Sequence, residues 1–221
     1  MQDFKLLSAL LCYPEQDLID AIPAIEQMAS ATDSLRGQLD PLLKYLTDES
    51  LIGLQENYVG TFDRSPRNSL HLFEHIHGES RDRGQAMVDL LQEYRKHGFE
   101  MVPNELPDYV PLFLEFLAQM PQEQAQPLLG DAIHVLAMIG DKLKASESPY
   151  ACIFDVMRAQ CLTQPQPFVE PPVRDMDEAL ETFGPGADGV EPLLKPSATQ
   201  TIQFYPKQSK SAGGSLPSSV C

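Results

Sequence analysis

The sequence predicts an all-α protein: a single helical-bundle domain of about eight or nine helices, followed by a Pro-rich, largely irregular C-terminal tail. Through about residue 161 the apolar residues recur at intervals of three and four, the spacing of helices that bury one stripe. Strand-like alternation is almost absent over the same stretch. From Leu162 onward the texture changes, because nine of the 19 prolines fall in the last 60 residues, which also hold a Ser/Gly-rich stretch, Ser209 to Ser219. Such a composition buries little surface. The expected division is therefore a helical domain over 1–161 and a flexible tail over 162–221.

Phe4, Leu7, Leu10 and Leu11 predict a first helix, with Asp3 as its cap and Pro14 as its end. Leu18, Ile22, Ile25 and Met28 predict a second, which Pro23 is expected to bend or shorten. Leu35, Leu39, Leu42, Leu43 and Leu46 mark a third helix; Leu51, Leu54, Tyr58 and Phe62 mark a fourth. The polar run Asp63 to Ser69 contains Pro66 and reads as a loop opening onto a short helix from Leu70 to His75, which Gly78 breaks. A longer helix carries Met87, Leu90, Leu91 and Tyr94 on one face and stops at Gly98. Pro103 to Pro107 is the next loop. Three more helices follow, built on Val110, Phe113, Leu114 and Leu117, on Leu128, Leu129, Ile133, Leu136 and Leu143, and on Tyr150, Ile153, Phe154 and Met157. In the tail, Asp175 to Phe183 could form a helical turn or two and Thr201 to Tyr205 an extended piece.

The chain carries 32 acidic against 16 basic residues, a net charge of -16, so its field repels phosphate backbones and anionic lipid headgroups. Nucleic acid is excluded as a partner on this ground, as is stable membrane association. A basic peptide is attracted instead, over the roughly 8 Å that physiological salt allows. Cys12, Cys152, Cys161 and Cys221 show no CxxC spacing, so buried free thiols are expected rather than zinc or disulfides. No secretory signal is read at the N-terminus, and the longest charge-free apolar run in a helical context, Ala132 to Gly140, is far short of the roughly 20 residues a membrane span needs. A cytoplasmic protein is expected.

The densest chemical cluster is Leu70 to Arg83, which holds three of the five histidines, His71, His75 and His77. His71 and His75 stand four apart on one helical face, and Glu74 to His77 has the Glu-x-x-His spacing of di-iron bundles. A di-iron bundle needs a second such motif and two further glutamates, and the order here is not HExxH. No GxSxG elbow, cysteine-nucleophile signature, Walker loop or dinucleotide fingerprint is present. The structural reading of the cluster is a polar helix junction in which Arg81, Asp82 and Arg83 cap helix ends and pair with Glu74 and Glu79. The functional reading is that the junction also presents carboxylates and ring faces to a peptide. A second polar node, Glu105 to Pro111, places Asp108 as the N-cap of the helix that follows it.

The segment Tyr58-Val59-Gly60-Thr61-Phe62-Asp63-Arg64, with Ser69 to Met87 after it, closely resembles the nitrate reductase delta subunit, the NarJ-type chaperone family. Glu105-Leu106-Pro107-Asp108-Tyr109 is similar to the Glu-x-Pro-Asp-His node of the wider family of redox-enzyme maturation chaperones, with Tyr109 in place of the histidine. The resemblance covers approximately residues 3 to 160. It implies an all-helical fold, binding of the N-terminal segment of the reductase catalytic (alpha) subunit, and a role in insertion of the molybdenum bis-guanine-dinucleotide cofactor.

The expectation that follows is an assembly chaperone without turnover or cofactor of its own. An apolar groove takes the amphipathic N-terminal helix of the apo catalytic subunit, and acidic residues read its basic positions, which keeps the subunit competent for cofactor insertion before membrane docking. The residues expected to bind the partner are Tyr58, Phe62, Asp63, His71, Phe73, Glu74, His75, Glu79, Arg81, Asp82, Asp108 and Tyr109. Transient contact with the molybdenum cofactor and with its biosynthesis proteins is compatible with this role. The rival is a metal-dependent enzyme using His71, Glu74 and His75. A chaperone that binds the cofactor or a guanine nucleotide directly stays open.

Overall fold

The computed structural model describes residues 2–30, 33–78, 81–101 and 105–167. The chain divides into two compact units, residues 1–178 and 179–221; every described residue belongs to the first, and the second lies outside the described residues. The two tail segments singled out above, Asp175 to Phe183 and Thr201 to Tyr205, lie outside them too.

The described residues form nine α-helices: α1 Gln2–Leu11, α2 Gln16–Ala29, α3 Asp33–Asp48, α4 Leu51–Tyr58, α5 Leu72–His77, α6 Arg81–Lys96, α7 Val110–Gln119, α8 Gln122–Ala145 and α9 Ala151–Gln160. No strand occurs among them; the sole ladder element is an isolated antiparallel bridge between His71 and Tyr109. The core follows the apolar spacing. Leu35, Leu39, Leu42, Leu43 and Leu46 of α3 are all buried, as are Leu7, Leu10 and Leu11 of α1 and Ile133, Leu136 and Leu143 of α8. Helix α1 packs on α7, α2 on α3, α3 on α9 and α8 on α9. The last pair approaches closely at Gly140, where an added Cβ would lie 2.6 Å from the Cβ of Phe154. Ser8 fastens α1 to the first turn of α7 by donating its hydroxyl to the Pro111 carbonyl at 2.7 Å.

Several local expectations are corrected. Asp3 lies inside the first turn of α1 and accepts from the Gln160 amide at 3.0 Å, so it ties the two ends of the bundle instead of capping a helix. Pro23 leaves α2 uninterrupted because it stands on the exposed face, where water can take the carbonyl its ring leaves unbonded. Met28 is 46% exposed, and Ala29 takes the buried position in its place. Cys161 is buried and Cys152 half-buried, whereas Cys12 is exposed; Cys221 lies outside the described residues. Gly78 and Gly98 terminate α5 and α6 with φ of 56° and 81°, the left-handed region that glycine enters without a Cβ penalty. Helix α6 is the least buried long helix. Met87, Leu90 and Leu91 are half-buried, and Tyr94 alone is fully covered, donating its hydroxyl to the Pro107 carbonyl at 2.7 Å.

Candidate functional site

The two polar nodes that lie far apart in sequence meet at one place. Val110 donates its N–H to the Leu70 carbonyl at 2.8 Å and Leu72 donates to the Asp108 carbonyl at 3.0 Å, so the starts of α5 and α7 are stitched by a two-bond antiparallel bridge. Asp108 was expected to cap α7, its own helix. Its fully buried carboxylate instead accepts the Phe73 N–H in the first turn of α5 at 3.1 Å and meets His71 Nδ1 at 3.3 Å. The residue at the cap position of α5, His71, makes no side-chain cap of its own. A buried carboxylate needs partners of this kind, and an orphan N–H at a helix start needs an acceptor; one side chain answers both needs across two helices.

Beside this junction opens a cleft of about 500 Å³, lined by Tyr13, Tyr58, Phe62, Asp63, Pro66, Ser69, Leu70, His71, Glu74 and Tyr109. Its walls are aromatic: Tyr13 meets Tyr58 edge-on at 5.5 Å, Tyr58 tilts against Phe62 at 4.9 Å, and the His71 ring lies 5.4 Å from that of Tyr109. The Tyr58 hydroxyl donates to the Leu11 carbonyl at 2.8 Å and lies 3.2 Å from the Tyr109 hydroxyl. With the Tyr58 proton so committed, Tyr109 is the donor between the two. Burial pushes both phenols well above their ordinary range, Tyr109 to about 12, each raised further by charged neighbours that include Asp63. They act as neutral hydroxyls. Among the described residues that line the cleft, the charge comes from Asp63 and Glu74, with no Lys or Arg. A second cleft of about 450 Å³ shares the Tyr13 wall and adds Ile52, Gln55, Glu56, Val59 and Arg64.

The backbone beneath the first cleft is a π turn, Val59–Asp63, closed by the Arg64 N–H on the Val59 carbonyl at 3.0 Å. In an uninterrupted α-helix, at about 100° per residue, Asp63 would point roughly 140° away from Tyr58. The wider i to i+5 turn returns it to the face of Tyr58. Tyr58, Phe62 and Asp63 consequently line the same cleft.

Of the residues expected to bind a partner, the structure brings Tyr58, Phe62, Asp63, His71, Glu74 and Tyr109 to the cleft. Phe73, His75 and Asp108 sit behind it. His75 is 2% exposed, with Nε2 at 2.8 Å from the Ser69 carbonyl, and Phe73 meets the His77 ring edge-on at 5.9 Å. Asp82 is exposed on α6, away from the lining. Glu79 lies outside the described residues, as does the side chain of Arg81. Glu74 takes a short hydrogen bond from the Ser69 hydroxyl. Sequence reasoning missed Tyr13, Pro66, Ser69 and Leu70. Tyr13 carried a signal, an aromatic residue just past a helix end and next to Pro14, but nothing local says that it faces Tyr58.

The metal-enzyme alternative finds no support in this geometry. His71 engages Asp108, Glu74 engages Ser69 and His75 engages a backbone carbonyl, so the three do not converge. Among the described residues no group of three or more His, Cys, Asp or Glu is placed to hold a metal ion, and no helix is long and apolar enough to cross a membrane.

The described residues form an all-helical body that presents an acidic, aromatic-walled cleft at the junction of two helix starts. The model of the family described as "Nitrate reductase delta subunit" matches residues 28–155. The chain is 42% identical over 164 residues to the nitrate reductase molybdenum cofactor assembly chaperone NarJ of Escherichia coli K12, covering 71% of this chain and 68% of that one. It is 30% identical over 157 residues to the nitrate reductase-like protein NarX of Mycobacterium tuberculosis, covering 67% of this chain and 22% of that one. A solved structure of a candidate redox enzyme maturation protein from Archaeoglobus fulgidus aligns with a TM-score of 0.55 at 22% identity, over 72% of this chain and 92% of that chain, a likeness of fold. The chain belongs to the nitrate reductase delta subunit family.

Proposed function

We propose that this protein is a cytoplasmic assembly chaperone that binds the N-terminal segment of the apo nitrate reductase catalytic subunit and keeps it open for molybdenum cofactor insertion. The observation that carries the reading is the cleft itself: aromatic walls from Tyr13, Tyr58, Phe62 and Tyr109 around the Asp63 and Glu74 carboxylates, on a chain whose relative bears the name of a cofactor assembly chaperone for this enzyme. A lysine or arginine entering between ring faces gains about 0.5–2 kcal/mol from each well-placed ring, and a carboxylate alongside adds a charged hydrogen bond of about 1.5–3 kcal/mol. The neighbouring cleft, with Ile52 70% exposed and Tyr13 at its edge, offers apolar surface for the other face of an amphipathic helix. The net charge of -16 draws in such a basic segment and speeds encounter. Nothing in this role requires turnover or a cofactor held by the chaperone.

The deciding experiment is co-purification of the tagged chain from cells expressing the nitrate reductase operon, with calorimetry on a synthetic peptide spanning the first residues of the catalytic subunit. Capture of the catalytic subunit, lost when that N-terminus is removed, supports the proposal. Failure to capture it, or capture that survives loss of the N-terminus, overturns it.

A further inference from the structure

The π turn sends two neighbouring residues of opposite charge to different clefts. In a turn closed from i to i+5, residues five apart return to nearly the same face. Tyr58 and Asp63 accordingly line the first cleft, while Val59 and Arg64, joined by the Arg64 N–H on the Val59 carbonyl at 3.0 Å, line the second. The wall common to both clefts is Tyr13. It is braced twice, edge-on by Tyr58 at 5.5 Å and through Pro14, whose carbonyl accepts from Gln55 Nε2 of α4 at 2.9 Å. A ligand that uses both clefts therefore lies across the Tyr13 ring.

The two sides of that ring differ in charge. Among the described lining residues the first cleft holds the carboxylates of Asp63 and Glu74 and no Lys or Arg, whereas the second holds Glu56 and Arg64, whose charges balance. Glu56 and Arg64 are both exposed, and among the described residues the Arg64 guanidinium forms no ion pair or side-chain hydrogen bond. Arg64 is thus open to an incoming acceptor, and Ile52, 70% exposed in the same cleft, gives the ligand an apolar contact there. A helical ligand carries a gradient of its own, roughly half an elementary charge, positive at the N-terminus and negative at the C-terminus. Laid across Tyr13 one way, its poles match those of the clefts; laid the other way, its unbonded C-terminal carbonyls face two carboxylates.

We propose that Tyr13 and Arg64 set the direction of the segment bound in the peptide site proposed above, on which this direction depends. The basic helix lies across Tyr13 with its N-terminal end over Asp63 and Glu74 and its C-terminal end over Ile52 and Arg64, where the guanidinium meets the acceptor oxygens of the last turn. Arg64 is a positioning residue in this arrangement. An exposed charge contributes little affinity, but it separates two orientations that the apolar contacts alone leave close in energy.

The chain has no tryptophan, so Ile52→Trp places a unique reporter in the second cleft of the full-length protein; should that variant not bind, Glu56→Trp reports from the same cleft. The probe is a synthetic, tryptophan-free peptide of about the first 16 residues of the catalytic subunit, roughly 24 Å long as a helix, carrying a nitroxide at one end or the other. At saturation the C-terminal nitroxide should quench the reporter about threefold more than the N-terminal one, since the two labels stand about a helix length apart. Arg64→Glu should weaken binding by about threefold to fivefold, the size of an exposed charge pair, and abolish or reverse the difference between the labels, whereas Arg64→Lys retains it. Lys5→Glu, an equal change of net charge at an exposed position outside both clefts, should leave the difference intact. A peptide that fails to bind the unaltered protein in calorimetry defeats the peptide site and this direction with it. A peptide that binds but is quenched equally from its two ends, or more from the N-terminal end, or with a preference indifferent to Arg64→Glu, overturns the direction alone.

Discussion

The Asp108 carboxylate accepts the backbone N–H of Phe73, 35 residues earlier in the chain, at 3.1 Å. One side chain in the loop before α7 thereby caps α5, and both helices hold the floor of the cleft through it. Asp108→Ala leaves that N–H and the His71 ring without their buried acceptor, and the expected cost is about 1–3 kcal/mol. Asp108→Asn keeps an acceptor and should cost less. Chemical denaturation of both variants checks the order; equal loss would mean that packing, not the cap, is what Asp108 supplies.

Alkaline pH should unfold the protein through its buried phenols. The pKa of Tyr109 is raised by burial to about 12, and those of Tyr58, Tyr94 and Tyr150 are raised for the same leading reason. A neutral acid whose pKa is higher in the folded state than in the unfolded chain contributes stability that is intact below the unfolded value, near 10, and is lost as pH rises through the folded one. Melting temperature should therefore fall steadily from about pH 10 to 12, and the tyrosinate absorbance of these four buried residues should appear together with unfolding. A melting temperature that stays level over this range would contradict this.

Asp63 is exposed at the cleft, so its replacement tests recognition with little effect on folding. Asp63→Lys should weaken binding of the basic N-terminal peptide by about tenfold, the equivalent of roughly 1.4 kcal/mol, and flatten the salt dependence that a chain of charge -16 confers. Calorimetry across salt concentrations, alongside the melting curve, measures both. Unchanged affinity would place the basic positions of the peptide elsewhere.

Replacing His71, Glu74 and His75 together by alanine should lower stability as well as binding. His75 is 2% exposed against the Ser69 carbonyl, and Glu74 accepts from Ser69, so removing them strands polar groups at about 1–3 kcal/mol each. His71→Ala alone takes one partner from the buried Asp108 carboxylate but leaves it the Phe73 N–H, so it should lower the melt less than the triple variant does while reducing peptide capture. Comparison of thermal melts and pull-downs on the two variants separates the structural members of the cluster from the recognition member.

Gly140→Leu should destabilise by several kcal/mol, because the Phe154 Cβ stands 2.6 Å from where the new Cβ would be and neither α8 nor α9 can withdraw without opening the core. The loss is read directly as a lower denaturation midpoint.

Much of this architecture is written in short-range pattern. The spacing of Leu35, Leu39, Leu42, Leu43 and Leu46 dictates which face of α3 is buried, since a period of 3.6 residues admits one apolar stripe, and Gly78 and Gly98 mark helix ends because they alone enter positive φ cheaply there. Family resemblance and acidity raised the expectation of a basic peptide ligand, which the binding experiments above test. The tertiary structure alone decided which partner each polar group found. Asp108 was legible as a cap, but not that it caps α5; the pairing of Tyr58 with Tyr109 spans 51 residues and that of His71 with Asp108 spans 37. The π turn that aims Asp63, and Tyr13 as the wall between two clefts, left no periodic trace. Periodicity records how a residue faces its own helix axis, whereas a site assembled from helix ends depends on which ends the packed core brings together.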